Sequence, residues 1–449
     1  MNYIILIVCL FLISCANNIF SSYNSNINKT LDNLSNGNVS LADKNIQNQS
    51  DLLFNLESGV INRLSGEYQK SNQYFTNAQL YIDKWVESYH NGKLGLTLDT
   101  TKAIILNDKI LDYEAKDYEK VMIPTYKSLN YFALGDYNLS RIEITRMYEL
   151  EGVIEDFHNS TYAKTIEENK KSKVMSLESV EAAAKSKYNF NVINNDSVLS
   201  LKNSYQNAFS HYIAGFIFEA MGESSLSRPG YIKSLELSPN NNMILNSIKN
   251  LDYPSLENNV SNLLIILEKG HAPLLRAVKI PIPYLIPNSC LSLVSISFPE
   301  LLFDKDVKEV NFLIDGKESS LTLFTDFNLM ASRYLHDSLP NIYARNVGRA
   351  IKDAVFQQVL CKNYGGVFGL IESIGSVILN QADERTWATL PSQILLARFK
   401  LNYGKHIIKV SSNNNTKIIN LSLHQKFSIL ALRSIGSSIY IDQQLSTIN

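Results

Sequence analysis

The period of the hydrophobic pattern changes twice along this chain. Residues 3–14 form an unbroken apolar run. From about residue 51 to 265, apolar positions recur at steps of three and four, the spacing of one helix face. Beyond Gly270 the step shortens to two, the spacing of a half-buried strand. Strands are predicted at 278–283, 291–298, 311–314, 321–324, 393–401, 406–410, 416–423, 427–432 and 438–441. The 311–314 run, Asp315-Gly316 and the 321–324 run suggest a β-hairpin, and Tyr403-Gly404 is a further turn signal. Pro281 and Pro283 confine the first strand to an edge or an irregular position. Val347, Ile351, Val355 and Val359 recur every four residues. They predict an amphipathic helix within a helical insertion at about 327–380, followed by an apolar, glycine-rich stretch at 365–379 that reads as a buried hairpin. The fold class expected is α+β: a helical array at 51–265, then a β-sandwich-like module at 270–449.

The helical region repeats itself. Gly66 with Ser71, Phe75 and Ala78 is echoed by Gly135 with Ser140, Ile144 and Met147. A third copy has Gly222 with Ser227, Tyr231 and Ser234, closing at Pro239. This spacing resembles tetratricopeptide repeats, in which small residues let two antiparallel helices pack closely and a glycine turn joins them. One such pair cannot bury its own apolar face, so neighbours must stack. The turn glycines lie 69 and 87 residues apart. The first gap predicts a degenerate helix pair around 95–125. The second holds a charged insertion at 163–187, read as a solvated helical extension. From the groove positions of that repeat family, the resemblance implies that Arg63, Thr125, Phe132, Tyr212, Phe216 and Glu219 line a partner-binding groove.

The apolar run at 3–14 is too short to span a bilayer as a helix, which needs roughly twenty residues, and has the length of a signal-peptide core. It ends in Leu12-Ile13-Ser14-Cys15, which resembles the lipobox of bacterial lipoproteins. That resemblance implies a signal at 1–14 and acylation of Cys15; two or three acyl chains anchor stably where one does not. Ala16, in place of an inner-membrane-retaining Asp, implies the outer membrane, facing the periplasm. Residues 15–50, rich in Asn and Ser, are expected to be a flexible tether.

Composition narrows the function. With 45% hydrophobic and 19% charged residues the chain is globular. A net charge of −1 shows no basic surplus, so nucleic acid is not an expected partner. The seven histidines include no His-Glu-x-x-His, and no Gly-x-Ser-x-Gly elbow or Walker loop is present. No metal site, cofactor or catalytic residue is therefore expected, although two distant glycosidase carboxylates would leave no sequence signature. Cys290 and Cys361 remain after Cys9 leaves and Cys15 is acylated; an oxidising compartment permits a bridge between them.

The order of lipobox, repeats, Ile280-Pro281-Ile282-Pro283, helix and Ala382-Asp383-Glu384-Arg385-Thr386-Trp387-Ala388-Thr389-Leu390-Pro391 resembles an uncharacterised family of Gram-negative outer-membrane lipoproteins. The resemblance carries no biochemical activity. It implies envelope or cell-wall biogenesis by association with lipoproteins that activate cell-wall synthases. The Asp383–Pro391 stretch has two readings: a structural loop with Trp387 packed beneath a strand, or an exposed recognition patch of Asp383, Arg385 and Trp387. The function expected is a non-enzymatic interaction scaffold for an envelope protein or peptide segment, touching the membrane only through its lipid. The alternative is a peptidoglycan-acting enzyme or accessory factor with the repeats as a docking arm.

Overall fold

The computed structural model describes residues 22–46, 51–92, 112–169, 187–253, 258–285, 291–343, 346, 382–412, 415–441 and 446–448. The protein is α+β, with helices up to Asp252 and sheets from Val260. Four helix hairpins come first: α1 (Ser22–Ser35) with α2 (Val39–Ile46), α3 (Leu52–Leu64) with α4 (Tyr68–His90), α5 (Asp117–Ala133) with α6 (Tyr137–Asn169), and α7 (Ala208–Ala220) with α8 (Ser224–Leu237). A single helix, α9 (Asn242–Asp252), closes the row.

The hairpins share one joint. In the second, Gly66 N–H donates to the Arg63 carbonyl and Glu67 N–H reaches back to Asn62. Gly135 and Asp136 bond Phe132 and Tyr131 in the same way, and Gly222 and Glu223 bond Glu219 and Phe218. These are Schellman closures, and they need the positive φ of 75 to 78° that all three glycines adopt. Twelve residues separate a second conserved contact: Ser71, Ser140 and Ser227 each donate a hydroxyl to the carbonyl of Gly59, Ser128 and Gly215, at 2.7, 2.8 and 2.6 Å. Glycine is required at the crossing itself. A Cβ on Gly59 would sit 2.3 Å from the Phe75 ring, and one on Gly215 2.6 Å from the Tyr231 ring.

Two sequence expectations change here. Helix α4 packs directly on α5, and residues 117–125 of the span expected to hold a degenerate pair belong to α5; residues 93–111 lie outside the described residues. Residues 112–116 are neither helix nor strand, and Asp117 already begins the next repeat; α4 itself is 23 residues long. The expected tether is also corrected. Residues 22–46 form α1 and α2, joined at Gly37 by the same closure, with Gly37 bonding Leu34 and Asn38 bonding Asn33. Ile27, Leu31, Leu34 and Ala42 are buried together with Ile61, Ala388 and Ile435. Four buried side chains in an Asn/Ser-rich background suffice to order the pair once the rest of the protein supplies the other wall.

The strands form two facing sheets and a ribbon. The larger sheet runs β11 (Ser438–Ile441), β10 (Phe427–Ile435), β1 (Val260–Lys269), β7 (Gln393–Asn402), β6 (Thr322–Asp326), with β12 (Ser446–Ile448) also on β10. β1 is parallel to β10 and antiparallel to β7. The smaller sheet runs β5 (Lys317–Glu318), β4 (Val310–Ile314), β8 (Gly404–Ser412), β9 (Asn415–Leu423). The ribbon pairs β2 (Leu274–Leu285) with β3 (Leu291–Leu302). Asp315 and Gly316 take positive φ in the expected Asp-Gly turn, but the hairpin expected between 311–314 and 321–324 is corrected: β4 turns back only onto the short β5, and the 321–324 run enters β6, which pairs with β7 in the larger sheet.

The larger sheet is covered on both faces. Leu263, Ile265, Leu267, Leu430 and Leu432 meet Phe312, Ile408 and Val410 of the smaller sheet. Leu264, Ile266, Ile429 and Ala431 face the helices. That is why β1 and β10 read as nearly continuous apolar runs. The sandwich therefore lies against the helical array. Of the expected insertion, residues 327–343 are helical and are named α10. The remainder to 380, the hairpin at 365–379, Cys15, Cys290, Cys361 and residues 170–186 lie outside the described residues.

Candidate functional site

The six expected groove residues come from α3, α5 and α7, the first helices of the second, third and fourth hairpins. Arg63, Thr125, Phe132, Tyr212 and Phe216 are buried to 5% exposure or less. Glu219 is almost as enclosed, because Arg398 of β7 grips it with both guanidinium ends at 2.7 and 2.9 Å. Arg398 also lies over the Phe216 ring, Tyr212 meets Phe324 of β6, and Phe216 meets Phe427 of β10. Thr125 shares a hydroxyl hydrogen bond with Ser210, and Arg63 donates to Asn130. The open partner groove implied by the repeat resemblance is thus corrected: the chain's own β module fills it. Leu264, Ile266, Ile429 and Ala431, the sheet face that needed a second cover, share one core with these helices.

Trp387 completes the filling. It is fully buried, with its ring 5.8 Å from Phe75 and 6.1 Å from Tyr126. Two buried carboxylates hold the loop around it. Glu119 Oε1 accepts the Trp387 N–H at 2.9 Å and Oε2 accepts its own helix's Lys116 N–H at 2.8 Å. That backward reach is the N3 position of a capping box, here turned also toward a loop far away in sequence. Glu57 of α3 accepts the Ala388 and Thr389 N–H groups at 2.8 and 2.9 Å and the Tyr23 hydroxyl of α1 at 3.2 Å. No cation pairs with Glu57 among the described residues, and burial pushes its carboxyl up to about 7 despite these donors. The recognition-patch reading of Trp387 is therefore corrected to the structural one. Asp383 and Arg385 form a bidentate pair at the loop's rim, with Arg385 against Tyr113.

One cleft beside this loop remains open. It has a volume of about 360 Å³, lies between α5, α6, α10, the ribbon and residues 382–386, and is walled in part by Tyr118, Phe157 and Tyr334. At its edge His158 of α6 bonds Asp117 of α5 through Nε2 at 2.7 Å. Lys120, buried over the Trp85 ring, takes the other Asp117 oxygen at 3.0 Å. Burial would raise the Asp117 carboxyl, but Lys120 and His158 outweigh it and hold it at about 2. Burial would lower His158, yet its bond to Asp117 raises it above the ordinary histidine value. The result is an oriented, partly exposed imidazole in a cleft of moderate size. Among the described residues no cluster of His, Cys, Asp and Glu could hold a metal ion, and no helix is long and apolar enough to cross a membrane.

Sequence reasoning missed Glu57, Glu119 and the Asp117–Lys120–His158 group. Glu119 carried a signal, three residues past a helix start. His158 looked isolated because its partner lies 41 residues away, and nothing local marks Glu57 as an acceptor.

No family model matches the chain, and no curated protein matches it. Among solved structures, a tetratricopeptide repeat protein from Parabacteroides merdae is similar at 14% identity, over 52% of this chain and 99% of that one, with a TM-score of 0.14. A likeness so slight carries no weight, and the repeat assignment rests on the helix hairpins and their shared hydrogen bonds.

Proposed function

We propose that this protein is a lipid-anchored envelope protein that works by recognition, with its helical array as a cradle for its own β module. The cleft at His158 is then where it meets an envelope protein or peptide segment. The observation that carries this reading is that the expected groove residues are buried within the chain itself, while the neighbouring cleft keeps aromatic walls and a partly exposed imidazole. The lipobox-like Cys15 supports the anchor. Because α1 begins at Ser22, seven residues on, the body stands at most about 25 Å from the acylated cysteine. Such a short reach favours a partner at or near the outer-membrane surface.

A photo-crosslinking side chain at Glu114 or Asn341, on the cleft, should give the same adduct in intact cells, and Tyr334→Ala should abolish it. Probes on the outer helices, at Ile142 or Ile232, should give none. Equal labelling from both faces would overturn the cleft assignment. Radioactive palmitate should mark the wild type and leave Cys15→Ala unmarked.

The Asp117-held imidazole favours a second reading, a cell-wall hydrolase with His158 as general base. Purified protein should then release fragments from peptidoglycan, and His158→Ala should stop it. No release from the wild type removes that reading and leaves the first intact.

A further inference from the structure

At the other end of the larger sheet lies a second pocket, independent of the cleft and of the anchor. Helix α9 forms one wall and the ends of β1, β6 and β7 the other, and its volume is about 460 Å³. No carboxylate lines it. Lys249 of α9 and Lys400 of β7 both line it, and neither makes an ion pair among the described residues. The amides of Asn246 and Asn250 and the hydroxyl of Thr322 lie on the same walls. Arg398 is the deepest cation of the lining, its side chain 7% exposed. Both its Nη atoms are committed to Glu219, Tyr231, Ser247 and Asn262. Its Nε, in contrast, is buried with no hydrogen-bond partner.

We infer that this pocket binds a phosphate-bearing small molecule. Two unpaired ammonium groups face a compact anion, and neutral amide and hydroxyl groups can satisfy its remaining oxygens. The buried guanidinium is neutralised by Glu219 and contributes a fixed floor whose Nε–H has no protein acceptor, so the pocket's net positive charge comes from the two lysines. A cationic ligand would find no carboxylate on the lining to pair with. Asn262 and Arg398 lie toward the start of β1, whereas α1 docks on Ile435 and Tyr440 beyond the other end of the β1–β10 ladder. The pocket thus sits away from the anchored end of the body, which favours a soluble ligand over a headgroup of the anchoring membrane.

Titration of the full-length mature protein with inorganic phosphate, followed by phosphorus NMR, tests this. Saturable binding is expected, weakening as sodium chloride is added. The Lys249→Gln/Lys400→Gln double variant should bind about tenfold more weakly or worse. The control Lys84→Gln/Lys417→Gln, at exposed lysines elsewhere, should match the wild type. Both pairs are on the surface, so circular dichroism should show the same fold. Equal binding by the first variant and the wild type, or no saturable binding by the wild type, overturns the proposal. Binding to phosphatidylglycerol vesicles without binding to free phosphate would also overturn it, and assign the pocket to a lipid headgroup.

Discussion

Glu57 shows how a single buried group can set a response to pH. Its carboxyl, ordinarily near 4.5, is pushed up to about 7 by burial. Between those values the folded protein holds the proton more tightly than the unfolded chain does. Stability from this group is therefore full below about pH 4.5 and is lost as the pH rises through 7, by roughly 3 kcal/mol in all. Thermal melts of the wild type should show this loss between about pH 5 and 8. Glu57→Gln should flatten that slope while lowering the melting temperature overall, because an amide offers one acceptor oxygen to donors that now use two. An unchanged slope would mean that Glu57 is not the titrating group. His158 moves oppositely to a simply buried histidine. Its NMR titration should have a midpoint above the ordinary 6.5, and Asp117→Asn should bring it down.

At the level of elements, the hairpins depend on small residues only where two helices touch. Gly215→Ala should destabilise by about 1–3 kcal/mol, since the Tyr231 ring occupies the space and α7 and α8 are locked by the Ser227 hydrogen bond. Gly152→Ala, in the exposed face of α6 with nothing near its Cβ position, should stabilise by about 1 kcal/mol through helix propensity alone. Urea denaturation of both variants distinguishes close packing from a general intolerance of alanine. The three Gly-turn repeats were legible in the sequence because their spacing is set by local closure and crossing geometry. The α1–α2 hairpin was not. It keeps the turn glycine, Gly37, but has Asn38 after it where the other turns carry Asp or Glu, and its apolar positions are sparse.

For the whole molecule, the decisive feature is that array and sandwich share one core. Trp387, Phe75 and Tyr126 belong to the same cluster as Leu264 and Ile266 of the central strand. Trp387→Ala should cost about 3–5 kcal/mol, and helical and sheet signals should still be lost together in denaturant. Separate transitions would show that the two halves fold independently and that the loop only rests in the groove.

Period and spacing alone determined that helices precede strands, where the three glycine turns fall, that the chain turns at Asp315-Gly316, and that Cys15 has a lipobox-like context. Each of these is encoded within a few residues, in propensity, turn chemistry or a short motif. Only the tertiary structure decided that the groove residues are buried, that residues 22–46 join the array, and that Asp117 meets His158. Those outcomes depend on which distant surface covers an apolar face or satisfies a buried carboxylate, and no local pattern records that choice.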